Sequence, residues 1–198
     1  MAGSLIKIDE FTVSSDVASV IIGGGSSGSS GANVSINSTY DVYLLRLNNV
    51  SVDTDNSHLR FRVTASGNPD STSNYDKAVI KLRSDTTFSD TASEGDDYGR
   101  CSASSGGTGT SETSQVVMYL FDFANASEYS FVTYEEVQLT YHPTLFGSQG
   151  GAVHKVAQAC DGIQFYPNNG NINGGTFSLY GIKKWWYIYM CYNLKEVI

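Results

Sequence analysis

The sequence predicts an all-β protein, a two-sheet β-sandwich of jelly-roll type, and three observations carry that prediction. Apolar and polar residues alternate with a period of two along much of the chain, and no ten-residue stretch keeps a helical 3.6-residue period. The composition is that of strands and turns, with 13 Tyr and 9 Phe beside 20 Gly and only 3 Pro. The apolar runs are short and are separated by Gly, Asn, Asp and Ser clusters, which gives about nine to eleven strands packed as two sheets. With 198 residues, 40% of them hydrophobic, the chain can bury one core.

The elements follow in order. Leu5 to Ile8 and Val17 to Ile22 are short apolar strands, followed by the polar tract Gly23 to Gly31, a long loop tip or a hinge behind an N-terminal arm. Tyr40 to Val50 reads as a long buried strand with both faces partly apolar. Leu59, Phe61 and Val63 alternate with Arg60 and Arg62. Ala78, Ile80 and Leu82 alternate with Lys77, Lys81 and Arg83. Each of these two strands is expected to turn its apolar face to the core and its basic face outward. Ser66 to Ser71 is a turn cluster between them, and residues 84 to 114 read as a long polar surface loop. Strands resume at Val116 to Phe123, Tyr129 to Thr133, Val137 to Tyr141, Val153 to Ala157, Ile163 to Tyr166 and Thr176 to Ile182. Pro167 to Asn171 is read as a hairpin turn. Residues 1–183 form a single domain in this division, and residues 184–198 an aromatic extension, either an extra strand or a docking arm.

Charge and rare residues bound the function. The net charge is −8 and the pI about 4.7, which disfavours binding to phosphate backbones. The start lacks a basic region followed by a long apolar run, and no apolar stretch has membrane-helix length, so neither secretion by a signal peptide nor membrane insertion is expected. Cys101, Cys160 and Cys191 are an odd number without short spacing, which argues against a disulfide framework or a zinc site and leaves one bridge plus one free thiol open. His58, His142 and His154 have no paired spacing. Glu135 and Glu136 are adjacent, so on a strand they point to opposite faces, and as a carboxylate pair they do not argue for glycoside hydrolysis. Asp53, Asp55 and Asn56 offer oxygen ligands, but without the Gly and distant Glu of an EF-hand they read as an Asx-type turn. No catalytic, metal or cofactor residues are assigned.

Two segments carry a resemblance. The first is Ser38-Thr39-Tyr40-Asp41-Val42-Tyr43-Leu44-Leu45-Arg46-Leu47-Asn48-Asn49-Val50, running through Asp53-Thr54-Asp55-Asn56 into Leu59 to Val63. The second is Asp161 to Phe165, followed by Gly170-Asn171-Ile172-Asn173-Gly174-Gly175-Thr176-Phe177-Ser178-Leu179-Tyr180-Gly181-Ile182. This layout resembles a family of bacteriophage virion modules found in tail fibres and other tail-associated proteins, over roughly residues 4–183. The closing Gly-Asn-Ile, then Gly-Thr-Phe-x-Leu-Tyr-Gly-Ile, is its most specific part. The resemblance implies a β-sandwich exposed on a virion, assembled in the host cytoplasm, often homo-oligomeric, bound to other virion proteins, and not an enzyme. Such modules usually stop soon after the closing motif, whereas this chain continues through both of its tryptophans, and no fibre shaft is expected ahead of it.

The expected function is that of a tail-associated structural protein with a host-surface or glycan adhesion role, the alternative being a capsid decoration protein. An apolar tail must be buried somewhere, so Trp185, Trp186, Tyr187 and Tyr189 are candidate interaction residues. Sugar recognition uses flat aromatic faces beside amides and carboxylates. That adds Tyr166, Asn168, Asn169 and Asn171 as candidates, with Tyr75, Tyr98 and Tyr129 as further aromatic surfaces that also fit as core or rim packing.

Overall fold

The structure is a computed structural model that describes residues 5–86, 88–102 and 105–182. The described residues form two antiparallel sheets and no helix. The strands are β1 (Leu5–Thr12), β2 (Val20–Gly23), β3 (Val42–Val52), β4 (Leu59–Ala65), β5 (Asn68–Pro69), β6 (Tyr75–Arg83), β7 (Ser89–Asp96), β8 (Gly99–Arg100), β9 (Ser114–Phe121), β10 (Ser130–Leu139), β11 (Leu145–His154), β12 (Gly162–Pro167) and β13 (Ile172–Ile182). The long sheet has eight strands in the order β1-β13-β3-β9-β10-β11-β6-β7; the short sheet runs β2-β12-β4-β5, with β8 also paired to β4.

This order is a jelly roll with insertions. If β1, β2, β3, β4, β8, β9, β12 and β13 are taken as the first to eighth strands, one sheet reads first-eighth-third-sixth and the other second-seventh-fourth-fifth. That interleaving is two nested Greek keys. The hairpins β6–β7 and β10–β11 are inserted between its strands and meet side by side, extending the long sheet beyond β9 as a wing.

The core lies between the sheets and follows the period-two rule. Leu45 and Leu47 of β3, Phe61 and Val63 of β4, Met118 and Leu120 of β9, Ile163 and Phe165 of β12, and Phe177 and Leu179 of β13 are all buried. Tyr40 packs edge-to-face on Tyr43, and Phe165 lies 5.5 Å from Phe177 across the sandwich. The register of β3 breaks between Leu47 and Val50 at Asn49, which is left-handed at φ 53°. Its partner β13 bulges opposite, at Gly174 and Gly175. Gly175 has φ 117°, and a Cβ there would meet the Val50 Cα at 2.8 Å, so this bulge requires glycine.

Several expectations are corrected. The alternation in β6 is present but inverted: Tyr75, Lys77 and Val79 are buried, while Ala78, Ile80 and Leu82 face outward. Two good core residues fix that choice, and Lys77 is tolerated inside because it pairs with Asp96 and sits 3.8 Å from the face of Tyr98. The supposed loop 84–114 contains β7 and β8, and it buries Cys101, Ser102 and Ser105. The expected strands at 129–133 and 137–141 are one strand, β10, because Tyr134 is buried and Glu136 is satisfied internally. Pro167 to Asn171 does not make a hairpin; it carries the chain from one sheet to the other. The tract from Gly23 to Gly31 folds back on its own strand, with the Ser29 N–H donating to the Ile21 carbonyl at 2.8 Å.

The inner side of the wing mixes core residues such as Tyr134 and Val132 with buried polar groups, where β8 and its flanks cover it instead of a full sheet. Glu136 accepts hydrogen bonds from Ser114 (3.0 Å) and Ser148 (2.5 Å), and Gln138 donates to Ser102 at 3.4 Å. Cys101 and Cys160 are buried free thiols. Cys191 lies outside the described residues.

Candidate functional site

The predicted interaction residues fall in two places. Trp185, Trp186, Tyr187 and Tyr189 lie outside the described residues. Tyr166, Asn168, Asn169 and Asn171 lie together, from the end of β12 through the crossover into β13. There Asn171 donates its backbone N–H to one oxygen of Asp53 at 2.7 Å and its side-chain amide to the other at 2.8 Å. These bonds, with a third from Thr54, hold the Asp53 carboxyl below the usual range. The Asn168 side-chain oxygen accepts the His58 N–H at 2.5 Å, and the Asn169 carbonyl accepts the Ser57 hydroxyl at 2.7 Å. These amides therefore fasten the crossover to the loop between β3 and β4. Asp55, in that loop, accepts the backbone N–H of Thr108. Among the described residues, no group of three or more His, Cys, Asp or Glu could hold a metal.

Of the other aromatic candidates, Tyr75 is fully buried and offers no face to a ligand. Tyr98 lies between two cations, with Arg60 4.0 Å and Lys77 3.8 Å from its ring centre. Tyr129 is exposed.

A broad exposed surface lies where the sequence pointed to no candidate, on the outer face of the wing. Strand register builds it row by row. Tyr119, Thr133, Gly151, Ala78 and Ala92 lie on adjacent strands in one row. The row on one side holds Phe121, Phe131 and Val153; the row on the other holds Val117, Glu135, Gln149, Ile80 and Asp90. Small side chains in the middle row lower the floor, so the face is a trough of about 640 Å³. Tyr119 and Val117 line one side, and β7 with Asp90 and Ala92 lines the other. Tyr119 stacks on Phe121 with 6.5 Å between ring centres, and the Gln149 amide donates to Glu135 at 3.3 Å. Val117, Tyr119, Phe131, Val137 and Ile80 all stay exposed, which is unusual for one contiguous face.

A signal for this face was present in the sequence. Residues 116–121 are apolar at every position, so β9 had to be either covered on both faces or exposed on one. The inserted hairpins leave its outer face open.

His154 is a buried titratable group at the end of β11. Its Nε2 is 3.0 Å from Asp70, and its ring lies 4.8 Å from Tyr75. Burial pushes its pKa below the ordinary histidine value, against the pull of Asp70. Neither it nor Ser105, 3.1 Å from His58, opens into the trough.

No family model matches the chain, and no curated protein or solved structure does either.

Proposed function

We propose that the chain is a structural protein of a bacteriophage virion, associated with the tail, and that the trough on its long sheet is an adhesion surface for host-surface glycans. The observation that carries this reading is the trough itself, an aromatic wall beside a row of carboxylates and amides with a low floor between them. A sugar ring packs its C–H face on an aromatic plane and donates its hydroxyls to carboxylates and amides. Tyr119 supplies the plane, and Glu135, Gln149 and Asp90 the polar atoms. An open, shallow site binds weakly, and a homo-oligomer on a particle would make the attachment strong through multivalency. The closing motif at Gly170 to Ile182 supplies the virion context.

A second reading, a capsid decoration protein, is favoured by the breadth of the same face. Val117, Val137, Leu82 and Leu145 are exposed and offer nothing to a hydroxyl, but they suit a protein surface.

Gold-labelled antibody on intact particles tests the two readings. Label at the tail end supports adhesion and leads to glycan arrays probed with the purified protein. Label over the head supports decoration. Unlabelled particles would overturn the virion assignment.

A further inference from the structure

Half of the chain's 12 Lys and Arg residues gather where β4, β6 and β8 meet: Arg60, Arg62, Lys77, Lys81, Arg83 and Arg100. In a protein of net charge −8, that concentration is local. Three of the six are neutralised by carboxylates: Arg62 by Asp97, Lys77 by Asp96, and Arg83 by Asp85. Arg60, Arg100 and Lys81 have no carboxylate partner among the described residues.

Arg60 and Arg100 are also directly opposite each other, as Cα partners on adjacent antiparallel strands. Like charges in that position repel, and Asp96, the carboxylate within electrostatic range of Arg100, is already bonded to Lys77 and Ser93. The Nε atom of each is shut off from water and has no hydrogen-bond partner. Both residues are nonetheless partly exposed, so neither side chain is sealed off as a whole. Arg60 is held in place by the Tyr98 ring at 4.0 Å. Lys81 feels the same excess: burial, then Arg100 and Arg83, push its pKa below the ordinary lysine value.

We propose that Arg60 and Arg100 form a binding site for an oxyanion: a carboxylate, sulfate or phosphate group. Two guanidinium groups side by side offer paired N–H donors that match such a group, and its negative charge removes the repulsion between them. The site is separate from the sheet-face trough and does not depend on the adhesion reading.

The test is an NMR titration of the arginine side-chain Nε–H signals at constant ionic strength. Sodium glucuronate and sodium phosphate are the two probes, and sodium chloride is the reference. The chain has only five arginines, so Arg46 and Arg83 serve as internal controls. Saturable shifts confined to Arg60 and Arg100 are expected with at least one probe. Arg100→Gln should weaken the affinity about tenfold or more, as for one charge-assisted hydrogen bond. Tighter binding of glucuronate would assign the site to an acidic saccharide, and tighter binding of phosphate to a phosphate ester. Shifts no larger than in chloride, or equal at all five arginines, would overturn the site. Because the wild-type titration decides this, the proposal stays testable even if the variant fails to fold.

Discussion

His154 on β11 and Asp70, just after β5, meet at 3.0 Å and tie the end of the wing to the turn that follows the β4–β5 hairpin. Asp70 is already held by the Thr72 N–H at 2.8 Å, so the histidine joins a carboxylate fixed in place. Burial lowers the His154 pKa from its usual 6.5, while in the unfolded chain the ring keeps that value. Between the two values the unfolded state binds more protons, so stability rises with pH across that window and is lost as pH falls below 6.5. Melting temperature should therefore drop between about pH 7 and 5. His154→Phe keeps a ring on Tyr75 and removes the titration, so its profile should be flatter over the same range. Equal slopes for the two proteins would show that His154 does not set the acid limb.

Gly99 allows β8 to lie against the core. A Cβ there would meet the Phe61 ring at 2.1 Å, and Phe61 is 1% exposed. Gly99→Ala should cost about 1–3 kcal/mol by overpacking. Phe61→Leu in the same chain should recover part of that loss, although alone it destabilises. Urea melts of the two single variants and the double variant would measure this coupling, and strict additivity would count against the contact.

The two adjacent glutamates of β10 should differ sharply. Glu136 is 6% exposed and accepts the hydroxyls of Ser114 and Ser148. Glu136→Ala leaves both hydroxyls without that acceptor inside the wing and should cost about 1–3 kcal/mol or more. Glu135 faces solvent beside Gln149, and Glu135→Ala should leave the melting temperature unchanged. Equal effects would mean that the faces of β10 are misassigned.

The contrast between the glutamates also marks how far the sequence could be read. Alternation placed Leu59, Phe61 and Val63 inward and put Glu135 and Glu136 on opposite faces, because a period of two leaves no other option on a strand. It failed at β6, where both faces carry hydrophobic residues and the deciding partners of Lys77 come from β7 and the turn after it. It failed again at 84–114, where β7 is made of Ser, Asp, Thr, Ala, Glu and Gly and is held as an edge by register with β6, not by propensity. Asn168 and Asn171 were legible as polar loop residues, but their bonds to His58 and Asp53 span more than a hundred residues of chain, a distance that no local pattern reports. The trough escaped for a related reason. It is assembled from a few positions on each of five strands, and its floor at Gly150 and Ala78 is defined by what those residues lack.

That assembly permits a test of the trough which leaves the core untouched. Tyr119 is 39% exposed and Val117 38%, so Tyr119→Ala and Val117→Ala remove the wall with little change in melting temperature. Ala92 sits on the edge strand β7 and points outward in the middle row, so Ala92→Trp should fill the trough from the opposite side. If a glycan sits on Tyr119, both kinds of change should abolish glycan-array signal while the protein stays folded. If the whole apolar face instead docks on a capsid surface, the alanine variants should weaken particle binding modestly, since each removes only part of a broad contact, and Ala92→Trp should block it by steric clash. Retained binding in both assays with all three variants would show that the face is not the contact surface.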